Sequence, residues 1–423
     1  MMATSSTSAL APLLSTSLER EPPAWAPPSP SAPATPTADT RPTVLHFIYS
    51  ISGGGAETMM RNLVRGLDRT QWRVVVVAMQ AKAWPAAERE LRQACDHLHV
   101  LDETALTAPR TLSKLNRILC AERPAVVQTW MHHADFVGGL VARWVGIRHI
   151  VWGIHCREIT RSPDESPLKH RLLRWLLPLA ARWLPSRIVS CSQVALEDHA
   201  KLGFPRSKMH WISNGIDTER FRPDPAARQR SREALGFTAE TPLLGFVGRF
   251  HEMKNLPLLL QAFALLQARL PAAHLLLCGV EAPDLDAECR ALAAALPHPR
   301  QLHFRSFQTD PEKLYPALDL FTLSSRTEAC PMTILEAMAC GVPCVTTQVG
   351  DCAALIGSTG LTVPTDDPAT LCQAWSQLLT EAEPARTQRR LAARASACSH
   401  FTIARTVAAY SQLYAQLAPH STA

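Results

Sequence analysis

"LDLFTLSSRTEACPMTILEAMACGVPCVTT", residues 318–347, sets the plan of the whole chain. Its opening, LDLFTLS (318–324), is an apolar run that reads as a strand. A short loop follows, carrying Glu328. MTILEAMA (332–339) reads as a helix, and Pro331 suits its first position, where a missing N–H costs no helical hydrogen bond. Gly341 and Pro343 then punctuate the chain before PCVTT (343–347), a second strand. Strands joined through a helix lie parallel in one sheet.

Working outward, the same alternation recurs. PLLGFVGRF (242–250) is a strand ending in glycine, NLPLLLQAFALLQARL (255–270) a helix and AHLLLCG (273–279) a strand. SNGIDTERFRPDP (213–225) reads as a linker. Before it, TVLHFIYS (43–50) leads through ISGGG into AETMMRNLVRGL (56–67), where Met59, Leu63 and Leu67 recur at four-residue steps as on a buried helix face. RVVVVAM (73–79) is apolar throughout, as expected of a parallel strand covered on both faces. AVVQTW, HIVWGIH and RIVSCS continue the series. The fold class is therefore α/β: two Rossmann-like, doubly wound parallel-sheet domains facing a central cleft, with ligands at the carboxyl ends of the strands. The 423 residues exceed one ordinary core, which agrees with two domains.

Bulk properties exclude several classes. A net charge of +6 is too small and too dispersed for a nucleic-acid binder, but would suit phosphorylated substrates or an anionic membrane surface. The 12 cysteines contain no CxxC pair and no zinc-finger spacing, so reduced thiols in a cytoplasmic protein are expected. No apolar run reaches the length of a membrane span. Residues 1–42, rich in Ala, Pro, Ser and Thr, read as a disordered tail. They make a poor secretory signal, with a plastid-type transit peptide as a minor alternative.

Three loops carry candidate chemistry. SGGGAE (52–57) joins a strand to a helix, so Gly54 and Gly55 would let a ligand approach the backbone near helix N-terminal amides; a plain tight turn explains it about as well. In GFVGRFHEMKN (245–255), Arg249 and Lys254 follow a strand's carboxyl end, a useful pair for a diphosphate, with solvated surface cations as the competing reading. In the opening stretch, the amides near Pro331, Met332 and Thr333 could bind phosphate, Glu328 could reach an attached sugar, and Glu336 could accept from a ribose diol.

With these pieces together, the chain resembles the retaining glycosyltransferases of family 4 (group 1), which have the GT-B fold. The resemblance rests on GGAE (54–57), NGID (214–217), VGRFHEMKN (247–255), the Glu328–Glu336 pair with EAMACGVP (336–343), and TGLTVP (359–364), and covers residues 43–418. FTIARTVAAYSQLYAQL (401–417) is similar to the family's closing helix, which packs back on the N-terminal domain. The resemblance implies an acceptor domain at 43–224, a donor domain at 225–398 and a returning helix at 399–423. It implies transfer of a sugar, hexosyl in type, from a nucleotide-diphosphate donor to a hydroxyl acceptor with retention. The acceptor it implies is a carbohydrate or a lipid-linked precursor of bacterial surface polysaccharide. Arg249 and Lys254 then match the family's basic pair on the diphosphate, Glu328 the glutamate by the transferred sugar, Glu336 the one by the ribose, and Gly54 and Gly55 the facing loop. No cofactor and no metal are implied. His155 falls where family members often place a histidine by the reaction centre; a structural histidine is equally compatible. Ala329 departs from the family's usual glycine, and its methyl would narrow the site. A nucleotide-sugar epimerase or phosphorylase, or a nucleotide-sugar-binding partner without strong catalysis, are the alternatives.

Two segments stay open. WMHHADFVGG (130–139) offers His132, His133 and Asp135 as acceptor-side candidates, although Asp135 could simply cap a helix. LKHRLLRWLLPLAARWLPSR (168–187) mixes Leu and Trp with basic residues: it could lie on the inner face of an anionic membrane, or be a core helix with a solvated basic edge, the reading favoured slightly.

Overall fold

The computed structural model describes residues 39–81, 85–159, 166–306 and 310–418. The tail expected over 1–42 lies outside the described residues up to residue 38; near its end Arg41 donates to Asp96 at 3.1 Å.

The N-terminal half begins β1 (Thr43–Ser50), α1 (Gly55–Gly66), β2 (Arg73–Gln80), α2 (Pro85–Ala94), β3 (His97–Val100) and α3 (Pro109–Glu122). It continues β4 (Val126–Thr129), α4 (His132–Trp144), β5 (Ile150–Ile154), α5 (Pro167–Ala181), β6 (Arg187–Ser190), α6 (Gln193–Lys201) and β7 (Met209–Trp211). The C-terminal half begins α7 (Pro225–Ala234), β8 (Leu243–Val247), α8 (Leu256–Arg269), β9 (His274–Cys278), α9 (Ala287–Ala294) and β10 (Leu302–Arg305). It continues β11 (Leu320–Leu323), α10 (Met332–Ala339), β12 (Cys344–Thr347), α11 (Cys352–Ile356), β13 (Leu361–Val363), α12 (Pro368–Leu379), α13 (Ala385–His400) and α14 (Ile403–Leu417).

Both sheets are parallel throughout, in the orders β3-β2-β1-β4-β5-β6-β7 and β10-β9-β8-β11-β12-β13. Each is doubly wound, so strand order reverses between β1 and β4 in one half and between β8 and β11 in the other. At such a reversal the loops diverge and leave a crevice at the strand ends. Residues 43–50, expected as a strand, pair with Arg73–Gln80 in register from Thr43↔Arg73 to Ser50↔Gln80. Pro331 is corrected by one position: it is the residue capping α10, with extended backbone, and the helix proper starts at Met332.

The first sheet is covered on both faces by separate apolar clusters. One joins α1 (Met59, Met60, Leu63, Val64) to Tyr410, Leu413, Tyr414 and Leu417 of α14. A side chain at Gly66 would come within 2.6 Å of Val407, so only glycine lets α14 lie this close to α1. Trp72 Nε1 donates to Ser411 at 3.0 Å in the same interface. The chain thus crosses between the halves twice. The two crossings are stitched together: Ile216 N donates to Phe401 O at 2.7 Å and Ile403 N to Ile216 O at 2.9 Å.

The core-helix reading of 168–187 is corrected by the burial. Leu177, Ala181 and Leu184 turn inward, whereas Leu168, Leu172, Trp175, Leu179 and Trp183 are exposed, Trp183 at 78%. Arg171, Arg174 and Arg182 stand among them, also exposed. Among the described residues no helix is long and apolar enough to cross a membrane.

Candidate active site

A cavity of about 570 Å³ opens where the two reversal points meet. Its walls are loops that follow parallel strands: 52–58 after β1, Met131 after β4, His155 after β5, Gly248–Arg249 after β8, and Glu328–Thr333 after β11. The linker adds Asn214, Asp217 and Arg220.

Two helix N-termini come together at its wall. A methyl built on Gly55, the first residue of α1, would lie 3.9 Å from the side chain of Met332, the first residue of α10. Gly54, Gly55, Pro331, Met332 and Thr333 all line the cavity. Unpaired amides and helix dipoles of both halves therefore converge on one volume, which favours an anion there. Ser52 Oγ donates to Glu57 Oε1 at 2.9 Å, tying that carboxylate into the first loop.

Lys254 and Glu328 are in contact: Nζ donates to Oε1 at 2.5 Å, and Ser325 Oγ donates to the same oxygen at 2.7 Å. The sequence assigned these two side chains to separate ligand groups; here they share an ion pair at the cavity wall. Arg249 lines the same wall, exposed, and makes no hydrogen bond or ion pair among the described residues. Glu336 is half-buried further along α10, where Oε2 accepts from Tyr315 OH at 2.5 Å. Burial raises its carboxyl above the usual range, against the opposing pull of the Tyr315 hydrogen bond and Arg220. Burial also pushes the Tyr315 phenol well up.

His155 stacks on buried Trp130, ring centroids 4.9 Å apart at 27°. Neither ring nitrogen has a partner among the described residues, although both are shielded from solvent. Burial lowers its pKa to about 4, so the ring is neutral, with one donor and one acceptor nitrogen, both closed off from solvent.

The other histidine motif does not reach the cavity. His132 is buried at the start of α4, with Nε2 2.7 Å from His199 Nε2 and Nδ1 3.6 Å from Cys156 Sγ; burial holds its pKa well below the usual value. Asp135 is fully buried within α4 and accepts from Thr129 Oγ1 at 2.5 Å and from Gly153 N at 3.2 Å. It is neither on the acceptor wall nor a helix cap: it ties α4 to β4 and β5, and burial pushes its carboxyl well up. His133 is half-buried beside them and is not among the lining residues.

Three residues that the sequence reading did not single out shape the site. Arg220, in the linker, bonds Glu312 at 2.9 Å and lies over Phe221 at the cavity rim; an arginine beside an aromatic in an interdomain linker was the available signal. Asn214 Nδ2 donates to Cys330 O at 2.8 Å, tying the linker to the loop before α10. Asp351 caps α6 from the opposite half: Oδ1 accepts from Ser192 Oγ at 2.8 Å and Val194 N at 3.1 Å, and Oδ2 accepts from Gln193 N at 2.8 Å. Its own N–H donates to Ala329 O at 2.9 Å, so the Glu328 loop is braced by the same contact. Gly350 is required there, with φ +51° and a Cβ position 2.1 Å from Glu328 O. Ala329, in the family's glycine position, lines the cavity and is otherwise buried.

Comparison with known proteins agrees with this geometry. Residues 53–220 match the profile described as Glycosyltransferase Family 4, and residues 241–381 that described as Glycosyl transferases group 1. EpsF of Bacillus subtilis, named as a glycosyltransferase, is 27% identical over 71% of this chain and 78% of its own. A GDP-mannose-dependent alpha-(1-6)-phosphatidylinositol monomannoside mannosyltransferase of Mycolicibacterium smegmatis is 27% identical over 83% of this chain and 90% of its own. In fold, the chain is similar to Anabaena HepE, solved in complex with UDP-glucose: TM-score 0.76 at 20% identity, covering 88% of this chain and 99% of that one. The two profiles lie one on each half and between them span most of the chain, which belongs to the family 4, group 1 glycosyltransferases with the GT-B fold.

Proposed function

We propose that the protein transfers a hexosyl residue from a nucleotide-diphosphate sugar to a hydroxyl of a lipid-linked or surface-polysaccharide precursor, with retention at the anomeric carbon. The observation that carries this reading is the convergence of two helix N-termini, Arg249 and Lys254 on one cavity. The leaving group of such a transfer is a diphosphate anion, and fixed positive charge aimed at it is the main catalytic requirement. Glu328 lies against the transferred sugar, the free oxygen of Glu336 takes the ribose diol, and His155, at the cavity wall, orients a sugar or acceptor hydroxyl. The departing phosphate takes the acceptor proton on the same face. Residues 43–224 hold the acceptor, 225–398 the donor, and the segment 399–423, described as far as residue 418, returns to the first of these.

The exposed Leu/Trp/Arg face of α5 belongs to the acceptor half, so it is the surface that meets the cytoplasmic face of an anionic bilayer when the acceptor is lipid-linked. A panel of nucleotide-sugars read by thermal shift identifies the donor, since binding stabilises only the folded chain. Nuclear magnetic resonance of the glycoside then reads the anomeric outcome. Failure of every nucleotide-sugar and free nucleoside diphosphate to raise Tm overturns the donor assignment, and an inverted product overturns retention.

A further inference from the structure

The far edge of the first sheet carries a second cluster, none of whose members lines the cavity. β3 is the edge strand, and His97 and His99, two residues apart, lie on one of its faces. Glu122, the last residue of α3, brings a carboxylate with 7% side-chain exposure up to them. His97 Nδ1 and His99 Nε2 lie 2.8 Å and 2.7 Å from the same oxygen, Oε1. The rings stand nearly perpendicular, at 84°. All three ligand atoms lie within 4.8 Å of one another.

The second carboxylate oxygen is already engaged: Arg73 Nη2 donates to Oε2 at 2.5 Å. The same nitrogen lies 3.0 Å from His97 Nδ1. A guanidinium only donates, so a hydrogen bond there requires a lone pair on Nδ1. That lone pair would also face Glu122 Oε1 at 2.8 Å, with the Arg73 guanidinium as the positive charge beside both; with the proton on Nδ1 the ring instead donates to that carboxylate. Nδ1, Nε2 and Oε1 are also close enough together to share one cation in place of these hydrogen bonds.

We propose that His97, His99 and Glu122 form a divalent transition-metal site, with Zn²⁺ the fitting ion for two imidazoles and one carboxylate. Arg73 is the outer partner that orients the carboxylate, and its charge makes the site weaker than a four-ligand structural zinc centre. The fourth position is left to water. Bound there, the ion joins the edge strand β3 to α3. This role is independent of sugar transfer.

The test uses the full chain, stripped with chelator and titrated with Zn²⁺ by calorimetry, with Tm followed in parallel. The expected result is one Zn²⁺ per chain and a higher Tm with metal. His97→Gln and His99→Gln, each checked for folding, should weaken binding by more than about tenfold, the scale at which even outer partners matter. Glu122→Gln should do the same, and the two histidine variants carry the test if it does not fold. Cys120, the exposed thiol on α3, is controlled by Cys120→Ser, which should bind as the parent does. Absence of Zn²⁺ uptake by the parent, unchanged affinity in both histidine variants, or loss of binding in Cys120→Ser overturns the assignment.

Discussion

Lys254 and Glu328 neutralise one another at 2.5 Å, so on the proposed reading an arriving diphosphate would have to draw the ammonium away from its carboxylate, while Arg249 has no partner among the described residues. Both cations should matter to turnover: Arg249→Ala and Lys254→Ala are each expected to lower kcat about a hundredfold with the circular-dichroism spectrum unchanged. Steady-state assays with the identified donor check this, and near-normal turnover in either variant would relocate the phosphate. Glu336 has one oxygen already committed to Tyr315. Glu336→Gln should therefore weaken free nucleoside diphosphate by roughly tenfold, one charge-assisted hydrogen bond, in calorimetry. Glu328→Gln should instead act on the chemical step. His155 gives a pH signature. Its folded pKa of about 4 lies below the ordinary 6.5, so between those values the unfolded chain binds a proton that the folded chain does not. Stability from this group is complete above pH 6.5 and is lost as pH falls towards 4, to a ceiling of about 3 kcal/mol. His155→Gln should make that part of the Tm–pH curve less steep, the rest of the slope coming from the buried His46, His132 and His199; a curve that keeps the parent's full slope contradicts it. Loop motifs made Gly54, Arg249, Lys254, Glu328 and Glu336 legible in the sequence, because each follows a strand that the apolar pattern locates. His132 and Asp135 follow a strand too. Nothing local told that their side chains turn into the half rather than out of it.

At the scale of elements, the interior strands were readable and all four sheet edges were missed. β3, β7, β10 and β13 read HLHV, MHW, LHFR and LTV. Edge strands are covered less completely, tolerate His, Arg and Lys, and run short, so they lack the continuous apolar signal of a covered parallel strand. The mixed character of α5 was also visible, but its face was not, since Leu and Trp point inward in most helices. Exposure of Trp175 and Trp183 beside Arg171, Arg174 and Arg182 leads to a prediction. The protein should bind anionic vesicles reversibly and in a salt-sensitive way, with little affinity for neutral ones. Each arginine contributes about 1 kcal/mol. Substituting the three arginines together should release it, as vesicle sedimentation would show. A folded triple variant that still sediments excludes this face.

For the whole molecule, one contact that holds the halves together is the Asp351 carboxylate on α6, through three hydrogen bonds. Sequence could not disclose it, because the partners are separated by more than 150 residues and neither motif is unusual alone. Asp351→Ala should open the cleft while leaving each half folded. The scattering radius should rise and kcat/KM fall by more than about tenfold, from loss of charge-assisted bonds that each count about 2 kcal/mol. An unchanged radius and unchanged kcat/KM would show that the halves meet without it.

The stitched pair of crossings, Ile216 beside Phe401–Ile403, sets what kind of motion that opening can be. One tether allows swivelling, twisting and drifting apart. Two tethers bonded side by side act as a single short axle, about which the halves can swing but along which they cannot slide. The register between the Gly55 and Met332 walls is then kept through every cycle. A cut in the linker alone would leave the molecule in one piece, held by the second crossing and by α14 lodged against α1.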